Sequence, residues 1–461
     1  MDATTSRRDL LLGAAALGAG FWVSPRNAWA LSRSPNEALR IAVIGAGGRG
    51  ASDTRELAAA GAQIVALCDV DDERAKGTYE SFPKARRFVD YREMLEKMDK
   101  EIDAVLIATP DHMHAPQTMM AMRLGKHVYT QKPLTHNIHE ARLLTQTSAS
   151  RGIVSQMGNQ GAASPRQREA IEVIRSGAIG PVREVHVWTD RPIWPRGVDA
   201  LMAHHGVRSS LRGPSSPPPV PRTLNWDLWL GCAAERAYDK IYVPFSWRGW
   251  WDFGTGALGD MACHIWNMPW HALHLDAPTA VEAQVAPDVN DETCPSWSVV
   301  TYAFPARGER PAVKLVWYDG GRKRPEWVSR RLAELTQSEK PPGNGAVCIG
   351  DKGRLVWTYG GGLEYRLLPE SDFAGFKPPD PTLPRVPNHF VEWIRACIDN
   401  RPDAPISNFA TAGPLTEAIL LGCVAIRTRQ RLEWDAANLK VTNVPEANRF
   451  LTREYRKGFE L

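Results

Sequence analysis

Short apolar runs alternate with amphipathic stretches through the first third of the chain. The runs LRIAVIG, AQIVALCD and DAVLIATP are typical of buried strands, and the stretches between them, such as YREMLEKM, have helical spacing. GKHVYTQKP and IVSQMGNQG continue the pattern to about Gly161. Strands that alternate with helices in this way predict a parallel, doubly wound sheet. We therefore predict an α/β domain at residues 37–161.

After residue 161 the chain becomes rich in strand signals. GPVREVHVWTDR, AVEAQVAP, WSVVTYAFPA and AVKLVWYDGG are β-rich, and a Pro/Ser-rich loop at 212–223 lies among them. We predict a second, α+β domain at residues 162–384, with a large open, mainly antiparallel sheet. The late stretches HFVEWIRACIDN and TAGPLTEAILLGCVAIRTRQ predict helices, so that residues 385–461 pack back on the two domains.

One mostly apolar stretch, GTGALGDMACHIWNMPW, carries three polar residues at helical spacing. Asp260, His264 and Asn267 would share one stripe of a helix, while Met261 and Ile265 would lie on a neighbouring apolar stripe. One interpretation is a buried Asp–His hydrogen bond that only stabilises the fold. The other is a polar cluster with a catalytic role, and the rest of the chain must decide between them.

Composition excludes several classes of protein. The 461 residues are 43% hydrophobic and 23% charged, which is typical of a soluble protein with two or three domains. The net charge is +4 without a long basic run, so we expect no nucleic-acid partner. Seven cysteines are scattered without a CxxC pair, so we expect neither a disulfide framework nor a metal site. We expect no membrane-spanning segment after the N-terminal region.

Residues 1–30 have the pattern of a signal peptide. Paired Arg7 and Arg8 precede an apolar stretch at 10–23, and Ala28-Trp29-Ala30 provides a small-x-small cleavage site. The pattern resembles a twin-arginine signal, so we expect the protein to use the twin-arginine export machinery and to be periplasmic. An amphipathic start or an uncleaved anchor is the alternative.

A glycine-rich turn follows the first predicted strand and opens a helix. It consists of Gly45, Ala46, Gly47, Gly48, Arg49 and Gly50, and fits G-x-G-x-x-G. Such glycines allow the backbone to approach a pyrophosphate at the helix N-terminus, as in Rossmann domains. Asp69 ends the next strand, where a carboxylate accepts hydrogen bonds from ribose hydroxyls and repels a 2′-phosphate. We therefore expect NAD rather than NADP, although Arg49 or Arg74 could soften this preference; the alternative is a turn that serves packing only.

Other residues are expected to line the cofactor. Thr109, Pro110 and His114 lie at the carboxyl end of a predicted strand, where doubly wound sheets bind ligands. The alternative for His114 is a structural hydrogen bond at a helix start. Asn159 ends a later strand and is placed on the nicotinamide side, as is Gln131.

The motifs together resemble the glucose–fructose oxidoreductase, inositol dehydrogenase and MocA family, here called Gfo/Idh/MocA. They are the glycine fingerprint, TPDHMH, QKP and GALGDMACH, the last in a β-rich second domain. The resemblance implies that Lys132, Asp260 and His264 form the catalytic group. Two positions depart from the common pattern: Gln131 stands where Glu is commoner, and Asn267 where Asp is often found.

Elementary chemistry gives these residues the same roles. Oxidation of a secondary alcohol needs a base for the hydroxyl proton and a nicotinamide to accept hydride. Lys132, after a strand that runs along the cofactor, can lie near the nicotinamide. We expect Asp260 to orient His264, which would relay the proton or hold the substrate hydroxyl.

An aromatic group precedes the predicted catalytic helix. Trp247, Arg248 and Trp251 suit a carbohydrate, whose C–H faces pack on aromatic rings and whose hydroxyls meet a guanidinium. We expect these three residues and Asn267 to contact the substrate. The alternative for the tryptophans is core packing.

These observations predict an exported NAD-dependent oxidoreductase that acts on a sugar, polyol or glycoside. The alternative is a redox-neutral, NAD-using glycoside hydrolase, in which oxidation, elimination, water addition and reduction follow each other on one enzyme. Export favours this alternative, since free NAD has no evident pool outside the cytoplasm and the hydrolase regenerates its cofactor on the enzyme. We expect NAD to be tightly bound. We also expect a small carbohydrate as substrate and a homo-oligomer formed through the open sheet.

Overall fold

The computed structural model describes residues 38–194, 218–360 and 362–461. Residues Leu39–Leu461 form one compact unit, which contains every element below. The predicted signal peptide at residues 1–30 lies outside the described residues.

Within the described residues, the first sheet has six parallel strands in the order β3-β2-β1-β4-β5-β6. The strands are β1 (Arg40–Ile44), β2 (Gln63–Cys68), β3 (Arg86–Phe88), β4 (Ala104–Ile107), β5 (His127–Gln131) and β6 (Ser155–Gly158). The helices between them are α1 (Arg49–Ala59), α2 (Asp72–Ser81), α3 (Tyr91–Lys97), α4 (Asp111–Arg123) and α5 (Ile138–Ser150). This order is that of a doubly wound dinucleotide-binding sheet, as the sequence predicted.

Helices cover both faces of this sheet, and the strand sequences explain why. β4 is AVLI with every residue buried, and β1 is RIAVI with only Arg40 partly exposed. Apolar residues at consecutive positions suit a strand that is buried on both sides. The carboxyl ends of β1, β2, β4 and β5 therefore meet at one edge, where the site is built.

The second sheet has nine described strands in the order β13-β12-β11-β7-β10-β9-β8-β14-β15. They are β7 (Val182–Trp188), β8 (Ala280–Val285), β9 (Ser298–Phe304), β10 (Val313–Tyr318), β11 (Gly345–Gly350), β12 (Arg354–Thr358), β13 (Glu364–Leu368), β14 (Leu432–Asp435) and β15 (Lys440–Val441). β7 and β10 pair in parallel and the other neighbours are antiparallel, so the sheet is mainly antiparallel as predicted.

The remaining helices pack around this sheet or join it to the first one. They are α6 (Pro165–Arg175), α7 (Trp226–Leu230), α8 (Gly256–Ile265), α9 (Asn267–Leu273), α10 (Glu326–Thr336), α11 (His389–Ile398) and α12 (Phe409–Thr428). α8 and α12 lie against the inner face of the sheet. Gly422 in α12 permits this close packing, because a Cβ there would meet the Tyr302 hydroxyl of β9 at 1.9 Å.

One helix packs on the outer face of the second sheet, which is otherwise the open, mainly antiparallel sheet that we predicted. α10 packs on it through Val328, Leu332 and Leu335, which lie at helical spacing on one stripe. Their partners on the sheet include Val316 and Val347. The homo-oligomer that we expect to form through this sheet stays a prediction.

One described helix is long and apolar enough to cross a membrane, whereas none was expected after the N-terminal region. This helix is α12, Phe409–Thr428, with a mean hydropathy of 1.7 over its most apolar window. In this structure 83% of that window is buried, because the helix lies in the core between the two sheets. A helix buried on all sides is apolar all round.

The predicted single helix through Asp260, His264 and Asn267 is interrupted. α8 ends at Ile265, and α9 starts at Asn267 after Trp266. Pro269 has no N–H group to donate to the Ile265 carbonyl oxygen, which accounts for the break. Asn267 therefore does not continue the stripe that carries the other two residues.

Candidate active site

A cavity of about 260 Å³ lies at the carboxyl edge of the first sheet. The second domain contributes its other wall through residues 224–248 and His264. Eleven of the residues expected to bind cofactor or substrate, or to act in catalysis, line it: Gly45, Gly47, Arg49, Asp69, Thr109, Pro110, Gln131, Lys132, Trp247, Arg248 and His264. The predicted cofactor and catalytic regions are thus parts of one cavity.

The glycine turn has the shape that a dinucleotide requires. Gly45 has a φ of 84°, and a Cβ there would meet the Ala108 carbonyl oxygen at 2.7 Å. A Cβ on Gly50 would lie 1.8 Å from the Gly45 carbonyl oxygen, so this glycine lets α1 start directly beside the turn. Ala46 and Gly48 complete the turn, and Gly48 is the N-cap of α1. The open backbone and the helix N-terminus fit a pyrophosphate.

Two backbone N–H groups hold Asp69, which we predicted to bind the ribose. Its carboxylate accepts hydrogen bonds from Gly47 N at 2.8 Å and Asp71 N at 3.0 Å. Burial raises the pKa of Asp69 to about 6, and these two N–H groups act against the rise. Arg74 packs against the turn, since a Cβ on Gly48 would meet its guanidinium at 2.5 Å. The adenosine end of the cavity therefore has one buried acid and one arginine.

Lys132 and Asp260 form the central pair of the site. Lys132 Nζ donates to Asp260 Oδ1 at 2.5 Å and to the Asp260 carbonyl oxygen at 3.0 Å. Arg248 Nε lies 3.5 Å from the same carboxylate oxygen. Burial alone would raise the pKa of Asp260, but the charges of Lys132 and Arg248 outweigh it and hold the pKa at about 2. Asp260 is therefore ionised at neutral pH.

His264 lines the cavity but is not oriented by Asp260, which corrects the prediction. Its ring stacks on Tyr359, with centroids 5.4 Å apart, and no hydrogen bond joins it to Asp260 in the described structure. Nδ1 is buried without a partner among the described residues. Burial and the nearby Lys132 charge lower the pKa of His264 to about 3, so the imidazole is neutral. The spacing placed the two side chains one helical turn apart, but Lys132 takes the carboxylate.

Asp111 is a cavity residue that we did not predict. It is almost fully buried at the start of α4, and its Oδ2 accepts a hydrogen bond from Thr255 Oγ1 at 2.8 Å. Burial raises the pKa of Asp111 to about 7, against the lowering effect of Arg248 and Lys132. The signal was the acid directly after Thr109-Pro110, at the ligand-binding end of β4.

The side chain of Gln131 contacts another buried acid that we did not predict, Asp53. Gln131 Nε2 donates to Asp53 Oδ2 at 2.5 Å, and Asp53 also pairs with Arg49 at 2.7 Å. Asp53 has no exposed surface and lies one turn into α1. Burial raises the pKa of Asp53 to about 6, with Arg49 acting against it. Gln131 therefore helps to hold α1, the helix that follows the glycine turn. Its neighbour Lys132 is held in place by Asp260.

An aromatic wall closes the cavity on the side of the second domain. Arg248 lies over the rings of Trp247, at 4.2 Å, and Phe245, at 4.7 Å. Trp229 lines the same wall and stacks on Trp226, with centroids 4.8 Å apart. The predicted pair Trp247 and Arg248 thus lies at the cavity, with the guanidinium fixed between aromatic rings and Asp260.

Seven predicted residues do not line this cavity: Ala46 and Gly48 belong to the glycine turn, Asp260 contacts Lys132, and the other four are described below. His114 is buried beneath it, with Nδ1 2.7 Å from the Pro133 carbonyl oxygen and Nε2 2.9 Å from that of Thr109. This is the structural bond that we gave as the alternative, and it ties the TP and QKP segments together. Asn159 Nδ2 donates to the Cys263 carbonyl oxygen at 3.2 Å, behind the catalytic helix.

The other two were expected to contact substrate. Asn267 Oδ1 accepts from Gln167 Nε2 at 2.6 Å in a buried pair. Trp251 Nε1 donates to the Asn290 carbonyl oxygen at 3.2 Å, and its ring lines a separate small cavity. Both side chains point away because the helix break and the packing around residue 251 turn them into the core. Across the described parts of the chain, no group of three His, Cys, Asp or Glu side chains could hold a metal ion.

Two family models match the chain. Residues 39–159 match an oxidoreductase family with an NAD-binding Rossmann fold, and residues 210–310 match the C-terminal α/β domain of the same oxidoreductase family. The first match contains the glycine turn and Lys132. The second contains Asp260 and His264.

Curated relatives are similar over part of their length. An inositol 2-dehydrogenase of Arthrobacter sp. (strain FB24) is 32% identical over 164 residues, which are 35% of this chain and 48% of that protein. A glycosyl hydrolase family 109 protein of Solibacter usitatus (strain Ellin6076) is 36% identical over 160 residues, 31% of this chain and 36% of that protein. The matched region is less than half the length of each relative.

Solved structures share the fold over most of the chain. The aldose-aldose oxidoreductase of Caulobacter crescentus in complex with glycerol has a TM-score of 0.56 at 18% identity, and covers 86% of this chain and 100% of its own. An inositol dehydrogenase homologue of Azotobacter vinelandii, in complex with NADH and myo-inositol, has a TM-score of 0.54 at 15% identity and covers 86% and 98%. At these identities the likeness concerns the arrangement of both domains.

Proposed function

The chain carries both domains of the Gfo/Idh/MocA oxidoreductase family, and from this premise we propose an NAD-dependent oxidoreductase that acts on a sugar, polyol or glycoside. The observation that carries the proposal is the Lys132–Asp260 pair at 2.5 Å, in a cavity that also contains the glycine turn. A cation that is held beside a dinucleotide site can bind the hydroxyl group of a substrate.

The position of each residue in the cavity determines its proposed role. The glycine turn and Asp69 would hold NAD, and a bound nicotinamide supplies the hydride acceptor. Asp260 fixes the Lys132 ammonium, which donates a hydrogen bond to the substrate oxygen. When this ammonium gives a proton to Asp111, the free amine can take the hydroxyl proton. His264 is neutral, so a ring nitrogen can form a hydrogen bond with the hydroxyl of the same substrate. Asp111 is close enough to Lys132 to respond to its charge and can receive the ammonium proton.

We further propose NAD rather than NADP as the cofactor. The buried carboxylate of Asp69, hydrogen-bonded to the turn itself, supports this choice because it would lie against a 2′-phosphate. Arg74 lies beside the turn and would attract a 2′-phosphate. NADP would be preferred only if this attraction outweighed the repulsion by Asp69. The enclosing wall of residues 224–248 favours a cofactor that stays bound between turnovers.

The test begins with the purified protein. Denaturation should release NAD(H) if the cofactor is retained, and fluorescence titration should show NADH binding to stripped protein. A panel of sugars, polyols and glycosides should then contain a compound that changes the absorbance of the nicotinamide. A protein that binds no NADH under these conditions would reject the proposal.

The second candidate is a redox-neutral glycoside hydrolase. The match to a glycosyl hydrolase family 109 protein favours it, together with the enclosed cofactor cavity. In this reaction the substrate is oxidised at a ring hydroxyl, loses its aglycone by elimination, adds water and is reduced again. Cleavage would occur without net NADH, and in deuterated water the product would carry deuterium beside the oxidised carbon. Steady NADH formation with an intact glycosidic bond would reject this candidate.

We propose that the twin-arginine pathway exports the protein to the periplasm. The proposal rests on Arg7-Arg8 and the cleavage pattern at 28–30, which lie outside the described residues. Replacement of both arginines by lysine should leave the protein in the cytoplasm of its host. Export that continues unchanged in this double variant would exclude the twin-arginine route.

A further inference from the structure

One end of the cofactor cavity is built from segments outside the first sheet. Leu224 and Leu228 line it, and so does Phe459, which lies more than two hundred residues further along the chain. The segment around Leu224 lies alongside the loop after β2, since Asp72 N donates to the Thr223 carbonyl oxygen at 3.0 Å. This wall therefore stands beside Asp69, where the adenosine half of a dinucleotide would bind.

Residues 455–461, here called the strap, are fixed to this wall at several points. Arg456 Nη1 pairs with Asp227 Oδ1 at 2.7 Å, and Arg456 Nε donates to the Gly231 carbonyl oxygen at 2.8 Å. Arg92 Nη1, from α3 of the first sheet, donates to the Gly458 carbonyl oxygen at 2.9 Å. The strap thus bridges helix α7 and the edge of the dinucleotide-binding sheet.

Phe459 is the strap residue that reaches the cavity. Its side chain is buried, and the Arg92 guanidinium lies 4.3 Å from the ring centroid. Val89 and Tyr91, at the carboxyl end of β3, line the same part of the cavity. The Phe459 ring, in the same cavity lining as Val89 and Tyr91, offers the flat apolar contact that suits the adenine of a dinucleotide.

We propose that the strap is part of the cofactor site, and that Phe459 binds the adenine end and slows cofactor dissociation. The proposal rests on the proposed use of NAD. Phe459, Leu224 and Asp69 line the same cavity, so movement of the strap would widen the path by which adenosine leaves. The strap does not touch Lys132 or Asp260 among the described contacts, so it governs retention of the cofactor and not proton transfer.

The experiment measures NADH dissociation directly. Stripped full-length protein is loaded with NADH, excess NAD⁺ is added as a trap, and the loss of NADH fluorescence is followed by stopped flow. Phe459→Ala should increase the dissociation rate about tenfold or more, the effect of losing one well-packed aromatic contact. Arg456→Met, which frees the strap but keeps Phe459, should raise the rate in the same direction.

The matched control is Phe450→Ala. Phe450 is a half-buried ring that, like Phe459, lies against an arginine, with Arg427 at 4.0 Å, but it lines a different cavity. Circular dichroism and thermal melting must show that each variant is folded, and Arg456→Met carries the test if Phe459→Ala is not. Unchanged dissociation in the folded variants, with NADH bound by wild type, would overturn the strap proposal alone. Absence of NADH binding by wild type would overturn it together with the proposed function.

Discussion

The Lys132 ammonium contacts Asp260 twice, at the Oδ1 carboxylate oxygen and at the backbone carbonyl oxygen. Lys132 directly follows β5 of the first sheet, whereas Asp260 lies in α8 of the second domain. Their side chains are only 16% and 11% exposed. This pair joins the two domains at the point where substrate and cofactor would meet, so any change in how the domains pack would move the ammonium.

Lys132→Met should lower turnover by about 10²–10⁴-fold, the usual contribution of one acid–base group. NADH binding should remain close to that of wild type, because the glycine turn and Asp69 are unchanged. Steady-state kinetics on any substrate found, with a separate NADH titration, checks this. Lys126→Met is the matched control, since Lys126 is also largely buried and paired with Asp99 but lies at the other end of β5. An equal loss in both variants would mean that the effect is one of folding.

His264→Ala should also lower turnover by about 10²–10⁴-fold while NADH still binds. The reason is that a neutral imidazole lines the cavity and its ring is fixed by stacking on Tyr359. His271→Ala serves as the comparison, because His271 is a largely buried histidine on the next helix that does not line the cavity. Full activity of His264→Ala would assign this residue to core packing.

Asp69→Asn should weaken NAD binding and reduce the discrimination against NADP. The amide keeps the shape of the side chain but removes the charge that opposes a 2′-phosphate. Fluorescence titration with NADH and NADPH gives the ratio of the two dissociation constants. Asp72→Asn, an exposed acid in the first turn of α2, is the control. If wild type already prefers NADPH, the role given to Asp69 is wrong.

Asp111→Asn should change how stability depends on pH. The folded pKa of Asp111 is about 7, above its unfolded value, so the folded protein holds this proton more tightly. The contribution of Asp111 to the free energy of unfolding is therefore largest at acid pH and is lost as the pH rises through about 7. Chemical denaturation across pH 5–9 should show a smaller fall in stability for the variant, about 1 kcal/mol or more at the alkaline end. Parallel curves for the two proteins would contradict the burial of an ionisable acid here. The raised pKa values of Asp53 and Asp69 also make stability depend on pH, and they do so equally in the wild type and the variant.

The main elements of the fold follow from sequence because their periodicity is strong. Runs such as AVLI in β4 have no polar position, and only a buried parallel strand explains that pattern. β14 and β15 were missed because strands of four and two residues carry too few positions for a period to be recognised. α10 was missed although its apolar stripe is regular, because a short helical stripe in a β-rich region does not reveal which surface it covers.

The sequence predicted which residues form the site more accurately than it predicted the contacts between those residues. The QKP and DMACH motifs indicated Lys132, Asp260 and His264, and the structure brings all three to one place. Helical spacing suggested that Asp260 would serve His264. It could not show that Lys132 approaches from another domain, because contacts between distant segments leave no local pattern. Asp53 and Phe459 were missed for the same reason.

The hydrogen bond between Gln131 and Asp53 restricts the order in which this site can change. The motif that QKP resembles commonly has Glu at the position of Gln131, and Gln131→Glu alone would place two carboxylates in contact inside the protein. Asp53→Asn alone leaves two amides, which can still donate and accept. A lineage could therefore move between the two forms of the motif by changing residue 53 first, whereas the opposite order passes through a destabilised intermediate.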